Sequence, residues 1–260
     1  MLKSRKAVVT GSTSGIGEGV ARALAAQGAD VMLNGFGDAA EIEKLRAGMS
    51  AQYGVTVLYN PADLSKADEC EALIRDAEKR LGSVDILVNN AGVQFVAPIE
   101  EFPVDRWNQI IAINLSSTFH TIRAALPGMK KRGWGRLINT ASTHGLVASV
   151  NKVAYIAAKH GIVGITQTVA LETATTGITC NAICPGWVLT PLVQKQINDR
   201  AAREGIDEPT AKNRLLAEKQ PSLRFTTVEN IGSLAVFLCS EGAQNITGTA
   251  IPVDGGWTAQ

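Results

Sequence analysis

The chain has 260 residues, 45% of them apolar, and a formal net charge of +1 at pH 7. That length suits one large α/β domain, and the near-neutral balance offers no electrostatic footprint for nucleic acid or an anionic membrane. No apolar run approaches the ~20 residues that span a bilayer. Because residues 1–6 lead straight into a core-like strand without a signal-peptide pattern, a soluble cytoplasmic protein is expected.

The four cysteines (Cys70, Cys180, Cys184 and Cys239) form no C-x-x-C pair or zinc-like spacing, and the three histidines are scattered. Cys180 and Cys184, in one apolar strand-like run, read as small buried hydrophobes, and no metal site built on His and Cys is expected.

In chain order, residues 6–10 form a short apolar strand, followed by Gly11-Ser12-Thr13-Ser14-Gly15-Ile16-Gly17 and a helical run to Gln27. Strand, glycine loop and helix together predict a dinucleotide site. The glycines let backbone N–H groups approach a pyrophosphate at a helix N-terminus. A second strand at residues 29–33 ends in Asn34-Gly35-Phe36-Gly37-Asp38. A helix over about 39–53, a strand at 55–59, Asp63-Leu64 and a helix over about 66–81 follow.

The fourth strand, residues 84–88, closes on Asn89-Asn90-Ala91-Gly92. One long helix is expected after Pro103, with Asn114 in its middle. Residues 135–140 form the fifth strand and deliver Ser142. The next helix carries Tyr155 and Lys159 and runs towards Thr175. A sixth strand, 177–184, ends in Pro185-Gly186. Residues 190–223 are polar and helical, a last helix covers 228–238, and the apolar run 250–254 comes near the end.

Near-continuous apolar strands alternating with helices predict a single α/β domain built on a doubly wound parallel sheet. Ligands of such sheets bind beyond the carboxyl ends of the strands. Gly11, Phe36, Asp63, Asn90, Ser142 and Pro185 all fall just past strand ends, so one sheet edge should gather them.

Tyr155 and Lys159 stand four apart, on one face of a helix and one turn from each other. A nearby ammonium favours a phenolate, and a serine hydroxyl from the preceding strand end could share the same substrate oxygen. Those are the parts of a general acid/base for an alcohol or carbonyl.

Together these features resemble the short-chain dehydrogenase/reductase family over essentially the whole chain. The resemblance is carried by Thr10 to Gly17, Asp63, Asn89-Asn90-Ala91-Gly92, Asn114, Ser142, Tyr155, Lys159 and Pro185-Gly186. It continues through Ile246-Thr247-Gly248 and Val253-Asp254-Gly255-Gly256. It implies a Rossmann-like fold, Tyr155 as general acid/base and Ser142 positioning the substrate oxygen. Lys159 would lower the tyrosine pKa and bind the nicotinamide ribose. Asn114 would hold a relay water, although an amide satisfying local helix backbone reads as well from the residue alone. Asp63 and Leu64 would meet the adenine, and Asn90, Ala91 and Gly92 the ribose side. Gly186, Val188 and Thr190 would complete the cofactor contacts. The family is usually tetrameric, so a homotetramer is implied.

A 2′-phosphate needs Arg or Lys at the end of the second strand or in the glycine loop. Residues 34–38 and 12–14 supply none, so NAD is expected, with Phe36 packing on the adenosine. Around the reacting carbon, Gln94, His144, Lys152 and Gln196 suit a carboxylate, and Trp187 and Trp257 would form an apolar wall. A closer resemblance within the family, to bacterial D-3-hydroxybutyrate dehydrogenases, rests on Asn34 to Gly37, Gln94, His144 to Ala148, Asn151-Lys152, Pro185 to Val188 and Gly255-Gly256-Trp257. It implies oxidation of a small 3-hydroxy acid, with residues 190–223 as a lid. The competing expectation is an NADPH-dependent reductase of 3-oxoacyl thioesters.

Overall fold

Seven parallel strands form one sheet in the order β3-β2-β1-β4-β5-β6-β7. The computed structural model describes residues 1–260, the side chain of Leu192 excepted. The strands are β1 (Lys6–Val9), β2 (Asp30–Asn34), β3 (Val57–Asn60), β4 (Ile86–Asn89), β5 (Gly135–Thr140), β6 (Ile178–Pro185) and β7 (Ala250–Val253). The chain steps outward from β1 to β3, then returns to place β4 on the other side of β1. That reversal opens a crevice beyond the carboxyl ends of β1 and β4, where ligands of doubly wound sheets bind.

Helices cover both faces: α1 (Gly15–Ala26), α2 (Ala39–Tyr53), α3 (Ala67–Leu81), α4 (Val104–Ile111), α5 (Ser117–Arg132), α6 (Val153–Thr173) and α9 (Val228–Leu238). The two-residue alternation of a strand decides which helix each side chain meets. Ala7, Val9, Val31 and Leu33 pack with Leu24 of α1 and Ile231 of α9. Val8, Met32 and Leu87 face the other way, onto Leu73 of α3 and Ile122 of α5. Each Val, Leu, Ile or Met side chain among them contributes about 1.5–3 kcal/mol when fully buried. Gly19 and Gly232 let α1 and α9 meet closely, since a Cβ on Gly232 would stand 2.8 Å from that of Ala23.

The long helix expected after Pro103 runs from Val104 to Arg132 with Asn114 inside it, but its middle is not α-helical. Residues Ala112–Ser116 form a π-helical turn between α4 and α5. The widened turn presents the Asn114 amide to the backbone of Val93, where its Oδ1 accepts from the N–H at 2.8 Å and its Nδ2 donates to the carbonyl at 2.9 Å. Such turns insert one residue into a helix and often lie at functional sites.

Residues 190–223 contain α7 (Pro191–Glu204) and α8 (Glu208–Ala217), capped by Thr190 and Asp207. They enclose a small core of their own from Val193, Ile197, Ala211 and Leu215. The run at 250–253 is a strand, paired with β6. Among the described residues, no helix is long and apolar enough to cross a membrane, and all four cysteines are free and buried.

Candidate active site

A cleft of about 460 Å³ lies along the carboxyl edge of the sheet, from Gly11, Phe36 and Asp63 at one end to Trp187 and Trp257 at the other. Every site residue expected from the sequence lines it except Gly17 and Asn114, which stand behind its wall.

The first end is built for close backbone approach. Gly11 and Gly15 have φ of +60° and +58°, a region L side chains rarely adopt. A Cβ on Gly17 would meet the Gly11 carbonyl oxygen at 2.2 Å, so this glycine serves packing of the loop. At the N-cap of α1, Ser14 makes no side-chain hydrogen bond to the helix, which leaves the first-turn amides for an anion. Asn90 braces the loop, its Nδ2 donating to the carbonyls of Thr10 and Gly11 at 3.0 and 3.1 Å. Its amide nitrogen is thus committed to protein, and the ribose contact expected of Asn90 falls to its remaining atoms.

Thr13 Oγ1 donates to the Phe36 carbonyl at 2.9 Å and Tyr59 to that of Gly35 at 2.8 Å, fixing the turn beyond β2. Phe36 is left 67% exposed on the cleft. Asp38 caps α2, accepting from Ala40 and Glu41. Asp63 accepts from the backbone N–H and hydroxyl of Ser65, which hold its carboxyl below the usual range. A dinucleotide fits this end: a glycine cradle, a helix N-terminus for the pyrophosphate and an exposed aromatic face.

The other end gathers most of the titratable side chains of the cleft. Ser142 follows β5, and its Oγ accepts from the His144 N–H at 3.1 Å. Lys159 is buried on α6, with Nζ donating to the Thr140 carbonyl at 2.6 Å and lying 5.5 Å from the centre of the Tyr155 ring. Burial pushes the Lys159 pKa down to about 8. It also raises that of Tyr155, opposed by the Ser142 hydroxyl. The lysine was expected to lower the tyrosine pKa; burial, the largest cause acting on the phenol, raises it, and the ammonium donates to Thr140.

His144 packs edge-on against Tyr155 and Trp257, and Trp187 lies 6.1 Å from Trp257, centre to centre. Lys152 is half-buried, its Nζ 5.6 Å from the centre of the Trp187 ring. It has no carboxylate partner among the described residues. Burial and then Lys219 lower its pKa. Gln94 and Gln196 line the same end. His144 was expected to hold a carboxylate, but Ser142 Oγ lies 3.4 Å from its Nδ1 and Ser149 Oγ 2.9 Å from its Nε2. Both ring nitrogens are already engaged.

Residues 11–258 match the family model described as enoyl-(acyl carrier protein) reductase. Over 262 residues, covering all of both chains, the protein is 61% identical to the D-beta-hydroxybutyrate dehydrogenase of Cupriavidus necator. It is 56% identical to the enzyme of the same name from Rhizobium meliloti, over 99% of this chain and 100% of that one. Among solved structures, a variant of actinorhodin polyketide ketoreductase determined with NADPH superposes with a TM-score of 0.92, at 33% identity and full coverage of both chains. The chain belongs to the short-chain dehydrogenase/reductase family. It is therefore an oxidoreductase.

Within this family member, some functional neighbours escape sequence reasoning. Ser149 and the backbone of Val93 carry no motif of their own, and both take their places through tertiary contacts. Gln220, 1% exposed, accepts from the Trp187 N–H through Oε1 at 3.0 Å and so ties the aromatic wall to the end of residues 190–223. It lies in the run Glu218 to Ser222, which the resemblance to 3-hydroxybutyrate dehydrogenases includes but whose residues alone do not indicate this contact.

Proposed function

We propose that the protein oxidises D-3-hydroxybutyrate reversibly to acetoacetate with NAD. The observation that carries the reading is Lys152: an unpaired cation in a small aromatic pocket beside Tyr155 and Ser142 calls for a short anionic substrate. The names of the two bacterial relatives support the same substrate.

Bound along the cleft, a nicotinamide would supply the hydride acceptor for C3. Tyr155, as phenolate, takes the hydroxyl proton, and Ser142 donates a hydrogen bond to the same oxygen. Lys152, Gln94 and Gln196 hold the carboxylate, which fixes the face that C3 presents. Trp187 and Trp257 restrict the chain length. The segment 190–223, with its separate core, closes over the site and excludes water.

NAD is favoured over NADP because residues 12–14 and 34–38 bring no Lys or Arg to the ribose end. A homotetramer is supported by apolar side chains left outside α5 and α6, with Phe119 51% and Leu171 80% exposed. Four reduced cysteines suit the cytoplasm.

Purified protein mixed with NAD and D-3-hydroxybutyrate should develop nicotinamide absorbance at once, and far more slowly with NADP or the L enantiomer. No reduction with any short 3-hydroxy acid would reject the reading. Faster turnover of an acetoacetyl thioester with NADPH would replace it.

A further inference from the structure

A short chain of polar groups lies behind the reacting centre, running from Ser142 through the His144 ring to Ser149. We propose that Ser149 is a positioning residue: its hydroxyl donates to His144 Nε2 and so fixes the imidazole tautomer that leaves the Ser142 proton free for the substrate oxygen.

A neutral imidazole carries one proton, so one nitrogen donates and the other accepts. His144 is kept neutral because burial, with Lys152 and Lys219 nearby, pushes its pKa down to about 4. If the proton sat on Nε2, Nδ1 would be the acceptor and Ser142 would spend its hydroxyl proton there. With the proton on Nδ1, that N–H donates to Ser142 Oγ instead. Ser142 already accepts from the His144 backbone N–H. A hydroxyl has two lone pairs and one proton, so two donors saturate its acceptors and its own proton turns to the substrate oxygen.

This tautomer leaves a bare lone pair on Nε2, at a ring that is 5% exposed. An unsatisfied buried acceptor is costly. Ser149 Oγ, 2.9 Å away, is the group that satisfies it, and it has no other hydrogen-bond partner among the described residues. Ser149 itself is half-buried in the turn before α6, where its second lone pair can be met by solvent.

The test has two arms, and only the kinetic one rests on the 3-hydroxybutyrate reading. Nitrogen-15 NMR of histidine-labelled protein distinguishes the two neutral tautomers, and three histidines can be assigned by substitution of His120 and His160. His144 should be in the Nδ1–H form in the unmutated protein and shift towards Nε2–H in Ser149→Ala. In the kinetic arm Ser149→Ala should lower kcat about tenfold, the scale of one lost hydrogen bond, with the KM for NAD unchanged. Ser149→Thr, which keeps the hydroxyl, should restore both the tautomer and kcat. An Nε2–H form in the unmutated protein, or a Ser149→Ala protein that keeps the Nδ1–H form, overturns the proposal whatever the substrate proves to be. A shifted tautomer with kcat unchanged overturns its catalytic part.

Discussion

Lys159 stands one helical turn beyond Tyr155, yet its ammonium donates to the carbonyl of Thr140 and lies 5.5 Å from the centre of the phenol ring. Burial is the largest cause acting on the phenol and raises its pKa, opposed by the Ser142 hydroxyl. In the proposed mechanism oxidation needs the phenolate and reduction the phenol. With the tyrosine pKa raised, kcat/KM for alcohol oxidation should climb through neutral pH into the alkaline range, while that for ketone reduction falls over the same interval. Opposite pH profiles in the two directions check this. Tyr155→Phe should abolish both while leaving dinucleotide affinity nearly intact, measured by fluorescence titration. Substantial residual turnover would remove Tyr155 from proton transfer.

The enclosed His144 makes the fold sensitive to acid. Its pKa is about 4 in the folded protein against 6.5 for a free imidazole. Between these values the unfolded chain binds more protons than the native one. Stability from this residue therefore falls as pH drops from about 6.5 to about 4, by about 3 kcal/mol in all. His144→Gln should flatten that part of the profile, so the gap between its Tm and that of the unmutated protein should change with pH across this window. A gap that stays constant would show that His144 protonates freely in the native state.

Lys152 is the proposed carboxylate anchor, and its effect should appear in substrate affinity. A charge-assisted hydrogen bond contributes about 1.5–3 kcal/mol, so Lys152→Ala should raise the KM for 3-hydroxybutyrate by more than tenfold. The KM for NAD should not move, since Lys152 lies at the tryptophan end of the cleft. An unchanged substrate KM would place the carboxylate elsewhere.

The sheet and the gathering of residues at its carboxyl edge could be read from the sequence because both follow from local rules. Strand alternation and turn glycines fix which residues end each strand, and α2, β5 and α9 fall where the pattern puts them. What could not be read depends on contacts between distant segments. The π-helical turn at Asn114 goes with a pairing to Val93, 21 residues earlier. The destination of the Lys159 ammonium is a strand carbonyl 19 residues back. The Ser149 partner of His144 is only five residues on, but it belongs to a turn whose path periodicity does not specify.

The ribose end offers the sharpest test of cofactor choice. Phe36 projects from a turn held by Thr13 and Tyr59, and it is exposed enough to be replaced without disturbing the core. Asp38, an acid two residues on, is occupied as the cap of α2. A guanidinium at position 36 would therefore meet little competition for a 2′-phosphate, and arginine binds phosphate through paired N–H groups. Phe36→Arg should raise kcat/KM for NADP at least tenfold, consistent with one charged hydrogen bond of about 1.5–3 kcal/mol, and should lower that for NAD as the aromatic face is lost. If NADP use stays where it was, the adenosine does not lie against Phe36, and the proposed preference for NAD must rest on another feature.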